Sequence, residues 1–230
     1  MIDFYYSPTP NGWKVAIMLE ECGLKYKTHL MRLTEGDQFT PRFLEISPNA
    51  KMPAIVDNDT GGDPVSVFES GAILLYLAEK TGRFAPITAL GRKELNEWLF
   101  WQVGNLGPMA GQYSHFRNYA PKGESYGLKR YKGEYQRAMA VLEGRLEGRE
   151  YILGEYSIAD MISFPWILIA KAVDCPLDDF PNLVRWRAAI KDRPAVRKAV
   201  DLCRENRNHG QTAETNNVLF NQDAGHFRKG

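Results

Sequence analysis

The chain has 230 residues, of which 44% are hydrophobic and 25% are charged, a composition typical of one large or two small globular domains. Its 29 basic and 28 acidic residues leave a net charge of +1, so electrostatics gives no reason to expect nucleic acid or an acidic membrane as a partner. No apolar run approaches the roughly 20 residues that a membrane-spanning helix needs, and we expect no membrane segment.

The cysteines and the N-terminus predict a reduced compartment. Cys22, Cys175 and Cys203 are far apart, no CxxC pair is present, and an odd number does not make a disulfide framework. The first residues lack a basic stretch followed by an apolar one, so we expect no secretory signal. We therefore predict a cytoplasmic protein whose thiols mostly serve packing.

The first 82 residues alternate short strands and helices. Apolar residues at helical spacing, ended by Gly23 and Gly82, mark the longer helices. The predicted order is β-α-β-α-β-β-α, an α/β domain at residues 1–82. Strands are predicted at residues 2–6, 26–33, 54–56 and 65–68, and helices at residues 11–22, 41–46 and 69–81.

A linker at residues 83–91 leads to a second part without strand signals. Trp98 and Trp101 lie three residues apart, as one buried helix face requires. The sequence therefore predicts an all-helical domain at residues 92–204 and a polar, aperiodic tail at residues 205–230. Helices are predicted at residues 93–103, 123–148, 158–173 and 183–200.

The turn at residues 7–12, Ser-Pro-Thr-Pro-Asn-Gly, joins the first strand to the first helix. Thr9 as the N-cap and Pro10 in the first turn would explain it without any function. Thr9 and Asn11 also offer a hydroxyl and an amide beside a helix N-terminus, where a thiolate is favoured. Neither is a nucleophile at neutral pH, so a catalytic role for this turn requires a sulfur that arrives on the ligand.

Two further segments have both a structural and a functional interpretation. Pro53 opens a strand; with a cis peptide bond, the backbone of Met52 would turn outward and pair with an extended peptide, and otherwise this is a plain turn. Glu69 and Ser70 begin a helix and would serve as caps. Together they also suit the amine and the carboxylate of an α-amino acid.

The N-terminal element order, the proline at a strand start, the Glu-Ser helix start and the all-helical second domain, in this order, resemble the cytosolic glutathione transferases. The resemblance covers roughly residues 1–200. Ser157-Ile158-Ala159-Asp160, a capping-box variant, is similar to the helix start in the C-terminal domain of that family. The finer resemblance is to the nu class, which includes bacterial disulfide-bond oxidoreductases, and to the yeast nitrogen-regulator-like group. The segments that carry it are residues 7–12, 36–39, 46–55, 68–77, 98–104 and 107–109.

The resemblance implies a thioredoxin-like N-terminal domain, a C-terminal helical bundle and a glutathione site. In this class Thr9 and Asn11 would lie beside the glutathione sulfur, in place of the Tyr, Ser or Cys of other classes. Met52, which stands where isoleucine is usual, would pair its backbone with the cysteinyl unit, presented by cis-Pro53.

The same resemblance implies contacts to the ends of the tripeptide. Glu69 would bind the γ-glutamyl amine and Ser70 its carboxylate. Gln38 and Lys51 would reach the polar ends, and Lys51 suits the glycine carboxylate as a point charge. No metal is implied.

Two residues of the helical part are weaker candidates. Arg130 matches an arginine near the glutathione site of nu-class relatives, and the alternative is a solvated helix charge, which we favour slightly. His115 is a candidate for the substrate cleft, where a satisfied or exposed histidine is the better expectation.

The function that these residues favour is a glutathione-dependent disulfide reductase without a catalytic cysteine. Bound glutathione would attack a small disulfide and a second glutathione would resolve the mixed disulfide, with weak transferase or peroxidase activity beside it. The alternatives are a transferase that conjugates electrophiles and a non-catalytic glutathione-binding regulator; the absence of an Asn/Gln-rich N-terminal segment disfavours the regulator. By analogy we expect a homodimer, and no nucleic acid or membrane partner.

Overall fold

The computed structural model describes residues 1–121, 123, 125–207, 212–223 and 225. Four strands, β1 (Ile2–Tyr6), β2 (Tyr26–Leu30), β3 (Ala54–Asp57) and β4 (Val65–Phe68), lie in the first part of the chain. The helices are α1 (Pro10–Cys22), α2 (Pro41–Ile46), α3 (Ser70–Thr81), α4 (Ala89–Trp101), α5 (Gly107–Asn118), α6 (Ser125–Arg145), α7 (Ile158–Leu168), α8 (Pro181–Lys191), α9 (Pro194–Asp201) and α10 (Ala213–Phe220).

The four strands form one mixed sheet in the order β2-β1-β3-β4. β1 runs parallel to β2, whereas β3 is antiparallel to both β1 and β4. Tyr5 pairs with Ala54, and Ala54 pairs with Phe68, so the end of β1, the start of β3 and the end of β4 lie at one edge of the sheet. The predicted thioredoxin-like element order is confirmed.

The chain divides into two compact units, Met1–Ile73 with Lys198–Gly230, and Leu74–Arg197. The core of the first unit is built on α1, whose residues 12–19 are all buried. The second unit is helical around α7, in which the buried Asp160 accepts hydrogen bonds from the N–H groups of Ile152 and Ser157 and from the indole of Trp186. The predicted boundaries at residues 82 and 92 stay a prediction.

Several predicted elements differ from the observed ones. α4 begins at Ala89, inside the segment predicted as a linker, because Thr88 caps it by accepting from the N–H of Gly91 at 3.1 Å. The predicted helix over 183–200 is two helices, since Pro194 cannot continue the hydrogen-bond ladder. α5 was not predicted, because Gly107 and Pro108 indicate a break and its register comes from packing against α6.

The polar tail also contains regular structure. Helix α10 begins at Thr212, whose hydroxyl accepts from the N–H of Thr215 at 3.2 Å, and it packs on the short turn Leu33–Glu35 of the same unit. Within the described residues, no helix combines the length and the apolar character that crossing a membrane requires.

Candidate functional site

Three segments meet at one edge of the sheet in the first unit. They are the turn 7–12 after β1, residues 52–53 before β3 and residues 69–70 after β4. The hydroxyl of Thr9 lies 3.9 Å from the sulfur of Met52, which joins the first two segments directly. Two helices, α1 and α3, begin at this edge, so their free N–H groups and their dipoles favour an anion there.

The turn 7–12 is held in one conformation. The hydroxyl of Thr9 caps α1 by accepting from the N–H of Gly12 at 3.3 Å. A Cβ on Gly12 would lie 2.3 Å from the carbonyl oxygen of Ser7 and 2.8 Å from the ring of Tyr6, so only glycine fits. Asn11 is half-buried in the first turn of α1, and its amide makes no hydrogen bond to any residue within the described ranges.

The peptide bond between Met52 and Pro53 is cis. The side chain of Met52 packs with the buried cluster that includes Tyr5 and Phe43, so the residue is anchored on its apolar side. Its neighbour Lys51 is exposed, and the Lys51 carbonyl accepts a hydrogen bond from the Ser47 hydroxyl at 2.8 Å. The loop before β3 is therefore fixed from both sides.

Glu69 has a left-handed backbone with φ of 68°, which is uncommon for a residue with a side chain. Such a conformation costs on the order of 1–3 kcal/mol and concentrates at functional sites. Its carbonyl accepts the N–H of Ile73 at 2.9 Å, which starts α3, while its carboxylate stays exposed. The following residue, Ser70, is buried.

Gln38 presents an unused acceptor. Its side chain is 2% exposed and its amide nitrogen donates to the carbonyl of Leu33 at 3.1 Å. Its amide oxygen is buried and finds no donor among the residues described by the structure. A buried acceptor without a partner is costly, so it suits a ligand N–H.

The sequence analysis did not include Lys14, which lies on α1 with its ammonium 3.5 Å from the Ser70 hydroxyl. Burial lowers the pKa of Lys14 to about 7, and the carboxylate of Glu69 opposes this shift. The signal was a lysine within an apolar helix segment, between Trp13 and Val15. Periodicity alone does not show whether such a lysine reaches solvent.

Neither Tyr6 nor any of the three cysteines is suited to activate a thiol at this site. The hydroxyl of Tyr6 is buried and donates to the carbonyl of Leu202 at 3.1 Å. Burial raises the pKa of the Cys175 and Cys203 thiols, the opposite of what a nucleophilic cysteine needs. Cys22 is at the far end of α1 from the turn, with its sulfur 3.9 Å from that of Met18.

Arg130 and His115 belong to the second unit. Arg130 is exposed on α6 and pairs with Glu134 one turn along the same helix. His115 is half-buried, with its ring near those of Phe116 and Tyr119. Nothing in these contacts distinguishes either residue from an ordinary helix side chain. The described ranges contain no group of three His, Cys, Asp or Glu side chains suited to a metal ion.

Two family models match the chain, the glutathione S-transferase N-terminal domain over residues 9–80 and the glutathione S-transferase C-terminal domain over residues 112–194. The chain belongs to the glutathione transferase family. It is 48% identical over 203 residues to the disulfide-bond oxidoreductase YfcG of Escherichia coli K12, an alignment that covers 87% of this chain and 94% of YfcG. The predicted family and fold are confirmed.

Two crystal structures of glutathione transferases are similar in fold. One, from Burkholderia graminis with two glutathione molecules bound per subunit, has a TM-score of 0.83, 48% identity and coverage of 87% of both chains. The other, from Pseudomonas putida with one glutathione disulfide bound per subunit, has a TM-score of 0.84, 40% identity and coverage of 88% of this chain and 91% of the other.

Proposed function

We propose that this protein is a glutathione-dependent disulfide-bond oxidoreductase of the nu class that needs no cysteine of its own. The observation that carries the proposal is the sheet edge where Thr9 and Asn11 stand at a helix N-terminus with no cysteine in the turn. The name of YfcG and the glutathione disulfide in the Pseudomonas putida structure support the same chemistry. Two glutathione molecules supply two electrons, and the products are glutathione disulfide and two thiols.

The residues at the sheet edge suit the parts of glutathione. Met52 offers its backbone to the cysteinyl unit beside Pro53, and the buried acceptor of Gln38 suits an amide N–H. The remaining proposed contacts are Glu69 to the glutamyl amine, Ser70 to the glutamyl carboxylate and Lys51 to the glycine carboxylate.

The turn must stabilise a thiolate. A thiol with a pKa of about 8.5 needs about 2.7 kcal/mol of preferential thiolate stabilisation for its pKa to fall by two. A hydrogen bond to a charged group supplies about 1.5–3 kcal/mol and a helix N-terminus about 0.3–1 kcal/mol. These contributions are large enough for Thr9, Asn11 and the N-terminus of α1 to lower the pKa of the glutathione thiol by two.

We further infer a cytoplasmic homodimer. Both units expose large apolar side chains, among them Phe68 on β4 and Phe100 on α4, which is 70% exposed. Exposed apolar surface of this kind suits a protein interface. None of the three cysteines, Cys22, Cys175 and Cys203, is in a disulfide, which suits a reducing compartment.

The test is the reduction of hydroxyethyl disulfide by glutathione, coupled to glutathione reductase. The wild-type protein is compared with the C22S/C175S/C203S variant, and both are assayed for conjugation of chlorodinitrobenzene. We expect strong disulfide reduction in both proteins and weak conjugation. Loss of the reductase activity in a folded cysteine-free variant would contradict the proposal, and dominant conjugation would favour an ordinary transferase.

A further inference from the structure

Lys14 is a buried charge that the proposed reaction does not use. Its side chain is 2% exposed, in a stretch of α1 that is buried on all sides and whose other residues are apolar or glycine. Burying an ammonium group is costly unless polar partners compensate for it. If packing alone determined the residue at this position, it would be apolar. The Lys14 ammonium lies 3.5 Å from the hydroxyl of Ser70, a residue that we assigned to the glutathione site.

Ser70 and Glu69, which both act on Lys14, belong to the segment that we assigned to the glutamyl end of glutathione. Ser70 is buried in the first turn of α3, and the exposed carboxylate of Glu69 acts on the charge of Lys14 from the junction of β4 and α3. Lys14 therefore supports this segment from the protein side, while Glu69 faces solvent.

The direction of the hydrogen bond follows from the chemistry of the two groups. An ammonium has three donors and no acceptor, so charged Lys14 donates and the Ser70 oxygen accepts. The Ser70 hydroxyl proton is then free to be donated to an anion. A neutral Lys14 amine has a lone pair that accepts this proton, and Ser70 then no longer serves as a donor to the ligand.

We propose that Lys14 is a positioning residue of the glutathione site, which orients the Ser70 hydroxyl towards the glutamyl carboxylate and adds a positive charge behind it. The proposal rests on the proposed function, since it takes glutathione as the ligand. Because burial holds the pKa of Lys14 near 7 against the field of Glu69, we expect glutathione affinity to fall as the pH rises above neutrality.

Calorimetric titration with S-methylglutathione tests this role, since the methylated sulfur removes the thiol ionisation from the pH profile. The proteins are the wild type, K14M, S70A, K14M/S70A and the control K25M, which changes an exposed lysine. We expect K14M to bind at least ~10-fold more weakly at pH 6.5 without a lower melting temperature, since Glu69 is exposed and the substitution removes a buried charge. K25M should bind as the wild type does.

Two further readouts separate orientation from packing. The loss of affinity in K14M/S70A should be smaller than the sum of the losses in K14M and S70A, because part of the effect of Lys14 passes through Ser70. The wild-type affinity should fall several-fold between pH 6.5 and 8.5, whereas that of S70A should change less. The comparison of wild type and S70A remains decisive if K14M does not fold.

The outcomes distinguish the two proposals. Equal affinity of the wild type and K14M at pH 6.5, additive effects of the two substitutions, or parallel pH profiles of wild type and S70A would overturn the role of Lys14 alone. Glutathione binding without disulfide reduction would overturn the proposed function alone. A wild-type protein that binds no S-methylglutathione and shows no glutathione-dependent activity would overturn both.

Discussion

Two residues at the candidate site adopt states that folding alone disfavours. Glu69 has a left-handed backbone, and Lys14 is a buried amine. Both lie beside Ser70, the residue that follows Glu69 and contacts Lys14. Unfavourable local states grouped around one hydroxyl are expected where binding rather than stability determines the residue types.

The buried lysine makes stability depend on pH with a definite sign. The pKa of Lys14 is about 7 in the folded protein against an ordinary value of 10.5, so between these values the unfolded chain binds a proton that the folded protein does not. The free energy of unfolding should therefore rise with pH in this window, by up to about 1.4 kcal/mol per pH unit.

Urea denaturation of wild type and K14M from pH 6.5 to 9 measures this effect as a difference, so that other titrating groups cancel. We expect the wild type to gain about 2 kcal/mol relative to K14M between pH 7 and 9. Parallel curves would mean that Lys14 is as solvated in the folded protein as in the unfolded chain.

The hydroxyl of Thr9 has a proposed role in the thiolate site in addition to capping α1. We expect Thr9→Ala to lower kcat/KM for disulfide reduction by ~10- to 100-fold, or roughly 1.4–2.7 kcal/mol, and to move the activity profile to higher pH. Thr9→Ser retains both the cap and the hydroxyl and serves as the control. A Thr9→Ala variant with lower stability but an unchanged pH profile would leave capping as the only role.

At the scale of elements, the junction of β1 and α1 fixes the geometry of the turn. A side chain at residue 12 would collide with the backbone of Ser7 and with the buried ring of Tyr6. We expect Gly12→Ala to lower the free energy of unfolding by about 1–3 kcal/mol, because neither group can easily move away.

The matched control for this substitution is Gly133→Ala in α6, where an added Cβ meets nothing within 4 Å. Alanine has a higher helix propensity than glycine, so Gly133→Ala should stabilise the protein by up to about 1 kcal/mol. Chemical denaturation of both variants tests the contrast. A Gly12→Ala protein as stable as the wild type would show that Ser7 and Tyr6 can move away from the added Cβ.

For the whole molecule, the proposed homodimer predicts a change in mass. We expect the wild-type protein to run at about twice its chain mass of 26.1 kDa in light scattering. Phe100→Glu places a charge on a 70% exposed apolar side chain of α4 and should shift the mass towards that of one chain. Val184→Glu, on α8, is the control; a wild-type monomer would contradict the dimer.

Much of the fold follows from the sequence because its signals are local. Proline and glycine punctuation, apolar spacing and caps such as Thr9 act within a few residues, which is why β1, α1, α2 and β4 were predicted nearly to the residue. α5 and α10 were not predicted: α5 packs against the following helix α6, and α10 packs on the distant turn Leu33–Glu35.

The sequence by itself determined the family, the order of the N-terminal elements and the segments that hold the candidate site, because these depend on motifs and short-range periodicity. Only the tertiary structure decided that Lys14 is buried against Ser70, that Glu69 is left-handed and that Gln38 has an unused acceptor. The physical reason is that burial and hydrogen bonding depend on neighbours from other strands and helices. A residue's own sequence window does not contain them.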